Sequence, residues 1–433
     1  MFAHRGLTGC RAGCFLLLVV ALLGCSAASM PSDRPTRLSD AAVAFAGVAP
    51  TPPMGWDTWN SYGCTIDAGI VERAADAMVS TGMRDAGYRY VIVDDCWFAT
   101  QRAENGALQG DPVRFPDGMA ALADYVHARG LKFGIYESPN AQTCAQLGGT
   151  YPGNTGSLGH ERLDADTFAA WGVDYLKYDW CSTESDLTAQ VGAFTRMRDA
   201  LRATGRPIVY SINPNSGVVQ TPPGSRYDWS GIATMWRTTN DLHPGWELDA
   251  GETQGQGVRE VLDATCPLVG RQGPDHWLDP DMLVVGVPGT PGTPYPGLTP
   301  AEQRTNLGMW AMLSAPLIAG NPLTFTSAAT ANLLTDAGVI AVDQDPLAAP
   351  AEAIPGTDEK AWRRTLSDGS IVVALINRDD VAGRITVPRT ALALSDSKNY
   401  VAQNLWDGRS TPLDHEIAAE VAAHDTVLLR ISG

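Results

Sequence analysis

The sequence predicts an α/β fold: a (β/α)8 barrel over residues 51–348, followed by a small antiparallel β domain over 349–433. Two observations carry this. From about residue 52 to 345, short apolar runs alternate with segments of helical periodicity, the pattern of parallel strands joined by crossover helices. Beyond Asp343-Gln344-Asp345-Pro346-Leu347 the texture changes to short strand-like runs separated by turns.

In chain order, Pro53-Met54-Gly55-Trp56 opens the first strand. Ile70, Ala74, Ala77 and Met78 then recur at helical spacing over 68–81, with Gly82 as the stop. Tyr90 to Asp95 is the second strand. Met119, Leu122 and Val126 mark a helix face closed by Gly130, and Leu131 to Tyr136 is the third strand. After the helix-like 166–172, Val173 to Cys181 is the fourth. A helix over 188–203 leads to the fifth, Arg206 to Ile212. Ile232 to Trp236 is the sixth, and a weaker seventh is expected at Pro267 to Val269. Thr299-Pro300-Ala301-Glu302 has the form of a helix start, with Thr as cap, Pro in the first turn and Glu closing a capping box. Pro316 to Gly320 completes eight strands. The Pro/Gly-rich 286–297 is expected to lie over the barrel mouth. In the tail, strands are expected at Ala361 to Leu366, Ser370 to Ile376 and Thr426 to Ile431, the first two joined by an Asp368-Gly369 turn.

Ahead of the barrel, Arg5 and Arg11 precede the apolar run Phe15 to Leu23, too short to span a bilayer but of the length of an export signal. Residues 1–24 are assigned to that signal and 25–50, rich in Ser, Ala and Pro, to a tether. Leu22-Leu23-Gly24-Cys25 resembles a bacterial lipobox, making Cys25 a candidate lipidation site, with ordinary cleavage near Ala27 and Ala28 as the alternative. Export to an oxidising compartment favours disulfides among Cys64, Cys96, Cys144, Cys181 and Cys266, of which at least one stays free. The net charge of −17 excludes nucleic acid and anionic membrane surfaces as partners that would need basic patches. The sequence has no CxxC spacing among these cysteines and no HExxH, so no metal and no cofactor is expected.

Candidate chemistry lies at the strand ends: Asp94 and Asp95, Tyr136, Lys177 and Asp179, Arg237 and Asp241, Asp279 and Asp281. A parallel barrel gathers its C-terminal strand ends into one ring, so these residues become neighbours. Lys177 and Asp179 share a strand face, and the pair fits either a reactive site or a plain ion pair. Many carboxylates without a metal motif point to glycoside hydrolysis, in which one carboxylate attacks or activates and the other donates a proton. Asp179 is the candidate nucleophile, kept ionised by Lys177, and Asp241 the candidate acid, its pKa raised by its negative neighbour.

The motifs Pro53 to Trp59 (PMGWDTW), Val93-Asp94-Asp95-Cys96-Trp97, Gly134-Ile135-Tyr136, Lys177-Tyr178-Asp179, Trp236 to Asp241 (WRTTND) and Asp279-Pro280-Asp281-Met282-Leu283 resemble, in order and spacing, those of the α-galactosidase (melibiase) family, glycoside hydrolase family 27. The resemblance covers about 51–348, and the tail resembles that family's C-terminal β-sandwich. It implies a retaining exo-glycosidase acting on terminal α-D-galactosyl residues, with Asp179 as nucleophile and Asp241 as acid/base. It also implies sugar contacts from Trp59, Asp94, Asp95, Tyr136, Lys177, Arg237 and Asp281, and disulfides Cys64–Cys96 and Cys144–Cys181. The sequence departs from the family after the fifth strand, where Tyr210-Ser211-Ile212-Asn213-Pro214-Asn215-Ser216 replaces a Cys-Glu-Trp segment whose Glu contacts the sugar 2-OH. Asn213 is the candidate replacement. Glu137-Ser138-Pro139-Asn140 likewise replaces an Ala-Asp pattern. A β-L-arabinopyranosidase on the same scaffold is the second reading, and a non-catalytic sugar-binding lipoprotein the reading from another class.

Overall fold

Eight strands form one parallel sheet: β1 (Met54–Asp57), β2 (Tyr90–Val93), β3 (Lys132–Glu137), β4 (Tyr175–Asp179), β5 (Val209–Asn213), β6 (Met235–Arg237), β7 (Trp277–Asp279) and β8 (Leu317–Ala319). The computed structural model describes residues 36–39, 43–182, 186–216, 227–248, 255–290, 293, 295–395 and 397–433. The signal segment 1–24 and Cys25 lie outside the described residues. From β1 to β7 each strand pairs with the next in sequence, and β8 pairs with β1. A parallel bridge from Leu283, just past β7, to Ala319 closes the ring, with Leu283 N donating to Ile318 O at 2.7 Å.

Strands of such a sheet are covered on both faces, so they read as continuous apolar runs, and all four residues of β2 are buried. Their inward faces form two layers. Tyr90, Ile92, Tyr175, Val209, Met235, Trp277 and Ile318 pack as an apolar lower layer, with Ala49 among them. Glycine is required twice in this interior: a Cβ on Gly134 would come within 2.7 Å of Ile92 Cγ1, and one on Gly55 within 2.5 Å of Tyr90 O. One step further along the strands, the same face carries Asp57, Tyr136, Lys177, Asp179, Arg237 and Asp279, because side chains repeat every second residue.

The outer face of the sheet is packed by helices. Ala68–Ser80, Gly118–His127 and Leu187–Thr204 form where the periodicity predicts, and Glu161–Ala170 starts five residues before the stretch read from sequence. Pro300–Leu313 opens with the expected capping box, Thr299 Oγ1 accepting from Glu302 N and Glu302 Oε2 accepting from Thr299 N at 2.8 Å. It is buried along most of its length because the second domain covers it: Arg304 pairs with Asp425, and Arg364 Nη1 donates to Ala311 O at 2.6 Å.

Two expectations need correction. The seventh strand is Trp277–Asp279, whereas Pro267 and Leu268 belong to a 3-10 turn over Cys266–Leu268 that ends helix Val258–Thr265. The tether does not extend to residue 50. Thr36–Arg37 pairs with Tyr227–Asp228, Phe45 is buried with its ring 5.9 Å from that of Tyr210, and Asp275 accepts from Gly47 N and Ala49 N at 2.7 Å each.

The C-terminal domain is an antiparallel β-sandwich with its own core, including Val373, Leu375, Val387, Ile417 and Ile431. Ala361–Thr365, Ile371–Ile376 and Thr426–Ser432 form as expected at its centre, with Gly369 in the left-handed region of the hairpin turn. Tyr400–Asn404 and Ser410–Leu413 extend that sheet, and Gly383–Pro388 pairs with Glu416–Val421 apart from it.

Candidate active site

A cleft of about 500 Å³ opens at the C-terminal ends of the strands, and Trp59, Asp94, Asp95, Tyr136, Lys177, Asp179, Arg237, Asp241 and Asp281 all line it. The barrel has brought together nine of the ten residues singled out for the sugar and the chemistry. Asn213 is the exception. It ends β5 fully buried, its Oδ1 accepts from Asn215 N at 3.0 Å, and Asn215 and Ser216 line the cleft in its place. Asn215 is held there by its Nδ2, which donates to Arg237 O at 2.9 Å.

Lys177 makes its ion pair across the barrel: Nζ lies 2.6 Å from Asp94 Oδ2, with side chains 13% and 3% exposed. This replaces the expected pairing along the strand with Asp179. Asp94 Oδ1 accepts from Asp95 N at 2.7 Å, and Asp95 in turn accepts from Cys96 N and Ala145 N. Burial pushes the Asp95 carboxyl up to about 6, against those backbone donors. Asp57, beneath them, is raised well above its usual range by burial and by the Asp94 charge.

Arg237 is 4% exposed and ties the opposite wall together, with Nη2 2.9 Å from Asp281 Oδ2, 3.2 Å from Asp241 Oδ1 and 2.7 Å from Asn240 O. Asp281 is spent largely on the protein itself, since it also accepts from Leu242 N at 2.7 Å and Met282 N at 2.8 Å. Its backbone sits at φ 83°, a left-handed geometry that costs a non-glycine residue about 1 kcal/mol or more and that recurs at Cys96, beside Asp95, at φ 74°.

The two candidate catalytic carboxylates have opposite surroundings. Burial pushes the Asp179 carboxyl up to about 8, although Lys177 and Arg237 pull it down. At the rim, where the Asp241 side chain is 59% exposed, its desolvation is outweighed by Arg237, Lys177 and His243, and the carboxyl lies below its usual range. The order is the reverse of the one expected from sequence, because burial at the foot of the cleft dominates over a cation that is already committed to Asp94.

Two disulfides brace this ring, Cys64–Cys96 and Cys144–Cys181, and Cys266 is free. The second joins the loop after β3 to the end of β4, and Tyr136 OH lies 3.3 Å from Cys181 Sγ. Sequence reasoning missed Asn60, Asn215, His243 and Tyr295, all of which line the cleft. The first follows a recognised motif, but the others come from loops whose spacing carries no periodic signal. Among the described residues no cluster of His, Cys, Asp and Glu is arranged to hold a metal ion.

A barrel that gathers paired carboxylates, a lysine, an arginine and an indole at the mouth of a sugar-sized cleft defines a glycoside hydrolase. Residues 51–345 match the family model described as alpha galactosidase A, and 357–431 match the alpha galactosidase C-terminal beta sandwich domain. Alpha-galactosidase A of Cellvibrio japonicus is 38% identical over 405 residues, covering 90% of this chain and 94% of that protein. The crystal structure of alpha-galactosidase I from Mortierella vinacea superposes with a TM-score of 0.79 at 32% identity, covering 89% of this chain and 98% of that one. A GH27 β-L-arabinopyranosidase from Geobacillus stearothermophilus, in complex with arabinose, superposes with a TM-score of 0.74 at 25% identity, covering 91% and 100%. The chain belongs to the α-galactosidase (melibiase) family.

Proposed function

We propose that the protein hydrolyses terminal α-D-galactosyl residues from oligo- or polysaccharides with retention of configuration, Asp179 attacking the anomeric carbon and Asp241 serving as acid and then base. The observation that carries this is the presence of both carboxylates on one cleft whose foot is lined by Asp94, Asp95 and Lys177 and whose far wall is built on Arg237. Asp94 and Asp95 supply acceptors for the 4-OH and 6-OH of galactose, Lys177 and Arg237 supply donors, and Trp59 supplies a flat apolar face. Asp281 acts by orienting Arg237 and the loop that bears Asp241.

Asp179→Asn keeps the shape of the side chain and removes the nucleophile. Turnover of p-nitrophenyl α-galactoside should fall by about 10⁴-fold or more, with galactose binding still measurable. Turnover within tenfold of the wild type would sink the assignment. A wild-type protein that binds galactose and cleaves no aryl glycoside would instead be a binding module.

The second reading, β-L-arabinopyranosidase activity, draws support from the likeness to the Geobacillus stearothermophilus β-L-arabinopyranosidase. Parallel kinetics on the p-nitrophenyl α-galactoside, β-L-arabinopyranoside, α-N-acetylgalactosaminide and α-glucoside decide between them. The apolar run before Cys25 and the two disulfides support export, and the lipobox-like Leu22 to Cys25 supports a lipid anchor at Cys25. Among the described residues no helix is long and apolar enough to cross a membrane. Incorporation of labelled palmitate into the wild type but not into Cys25→Ala would establish the anchor.

A further inference from the structure

We propose that the stacked rings of His243 and Tyr295 form a preorganised aglycone subsite that selects α-galactosides whose leaving group is itself a sugar. The proposal rests on the reading of Asp241 as the proton donor. A donor must reach the glycosidic oxygen, so the leaving group lies on Asp241's side of the cleft. That side is the open one: Asp179 is 7% exposed at the foot, whereas the Asp241 side chain is 59% exposed at the rim.

The wall next to Asp241 is aromatic. His243 and Tyr295 both line the cleft, with ring centroids 4.2 Å apart and planes inclined by 10°. They belong to different loops, and each is fixed by backbone hydrogen bonds. His243 N donates to Gln256 O and Gly245 N to His243 O. Gly297 N donates to Pro244 O at 2.8 Å, tying the Tyr295 loop to the His243 loop, and Thr290 N donates to Tyr295 O. Gly255 completes the seat, since a Cβ there would stand 1.9 Å from His243 Cδ2. Backbone without a side chain lets the imidazole edge close against it.

The pair therefore presents a flat, half-buried aromatic surface, already ordered, beside the group that protonates the leaving oxygen. Pyranose rings lay their C–H faces on such surfaces, and the polar edges of Tyr and His can hydrogen-bond hydroxyls. Preordering means that little side-chain entropy is lost when the aglycone docks. A methyl group is too small to cover the rings, and a second pyranose is large enough.

The test compares wild type, Tyr295→Ala and Tyr295→Phe on raffinose and on methyl α-galactoside, with inhibition by free galactose as a third readout. Tyr295→Ala should lower kcat/KM on raffinose about five- to tenfold more than on methyl α-galactoside. Tyr295→Phe should recover most of that difference, and the galactose inhibition constant should stay within about twofold in all three, because galactose fills only the inner part of the cleft. Equal losses on both substrates together with weaker galactose inhibition would show that the stack merely clips two loops together, and would overturn the subsite. So would the absence of any differential loss. A wild-type protein that hydrolyses neither α-galactoside overturns the reading beneath it, and that outcome is distinct from the others.

Discussion

Lys177 Nζ is 2.6 Å from Asp94 Oδ2, across two strands of the barrel, and this contact rather than a pairing with Asp179 organises the foot of the cleft. Desolvation alone would lower the lysine pKa, but Asp94, Asp57 and Asp179 more than offset it and hold the ammonium charged. Lys177→Met leaves Asp94 buried without its cation, a loss of about 3–5 kcal/mol for a pair this enclosed. Urea unfolding at neutral pH should show a loss of that size. An unfolding midpoint equal to that of the wild type would mean that Asp94 finds another partner.

The proton inventory of the two catalytic candidates predicts the pH profile. Asp179 binds its proton up to about pH 8, while Asp241 releases its own below the usual aspartate range. Between those limits the pair carries a single proton, and the reactive arrangement, with Asp179 ionised and Asp241 protonated, is a tautomer of that state. Its share is independent of pH as long as the count stays at one. Acidification adds a second proton, and passage above pH 8 removes the only one. We expect kcat/KM to be flat from mildly acid to neutral pH and to fall on the alkaline side with an apparent pKa of about 8. Lys177 favours ionised Asp179, so Lys177→Met should move that alkaline limb upward in whatever activity remains. A profile that rises through pH 8 would contradict the shared proton.

The Cys144–Cys181 disulfide closes a loop with a sequence separation of 37 and anchors the short helix Cys144–Leu147, whose Ala145 N donates to Asp95 Oδ2 at 2.8 Å. Loop-closure entropy for that length is about 4 kcal/mol. Replacing both cysteines by alanine should cost stability of this order. It should also raise KM for p-nitrophenyl α-galactoside severalfold, since Asp95 loses the anchored donor that orients it. Guanidinium unfolding and steady-state kinetics on one preparation separate the two effects, and an unchanged KM would show that Asp95 is held without the bridge.

Much of this architecture was legible in the sequence because its signals are periodic or chemical. The apolar runs of β2 and β4 and the Thr299–Glu302 capping box each follow from local physics. β7 did not announce itself, since Trp277-Leu278-Asp279 is three residues long between Pro274 and Pro280, while Pro267-Leu268-Val269 is more apolar and merely ends a helix. The partner of Lys177 was invisible for a different reason. Period two places Asp179 on its face, but only barrel closure decides that Asp94, 83 positions away, is the nearer carboxylate. Asn215 and Tyr295 reach the cleft from loops, where no periodicity says which side chain turns inward.

Glu137 shows how a departure from the family pattern can serve the fold instead of the substrate. It ends β3 on the face opposite Tyr136, is fully buried, and does not line the cleft. Its Oε2 accepts from Ser138 N at 2.7 Å, and its Oε1 has no hydrogen-bond partner among the described residues. Burial, followed by the nearby Asp164 charge, raises its pKa well above the usual glutamate value, and Arg102 gives only partial relief because it is bidentate to Asp164 at 2.6 and 2.7 Å. The folded protein therefore keeps a proton on Glu137 that the unfolded chain releases above about pH 4.3. With more protons bound in the native state, stability falls as pH rises from that value toward the folded pKa. Glu137→Gln removes this dependence while preserving shape. Its unfolding midpoint should exceed that of the wild type at pH 7.5 and coincide with it near pH 3, where both side chains are neutral in both states. A variant destabilised equally at both pH values would show that the carboxyl makes a specific bond the amide cannot replace.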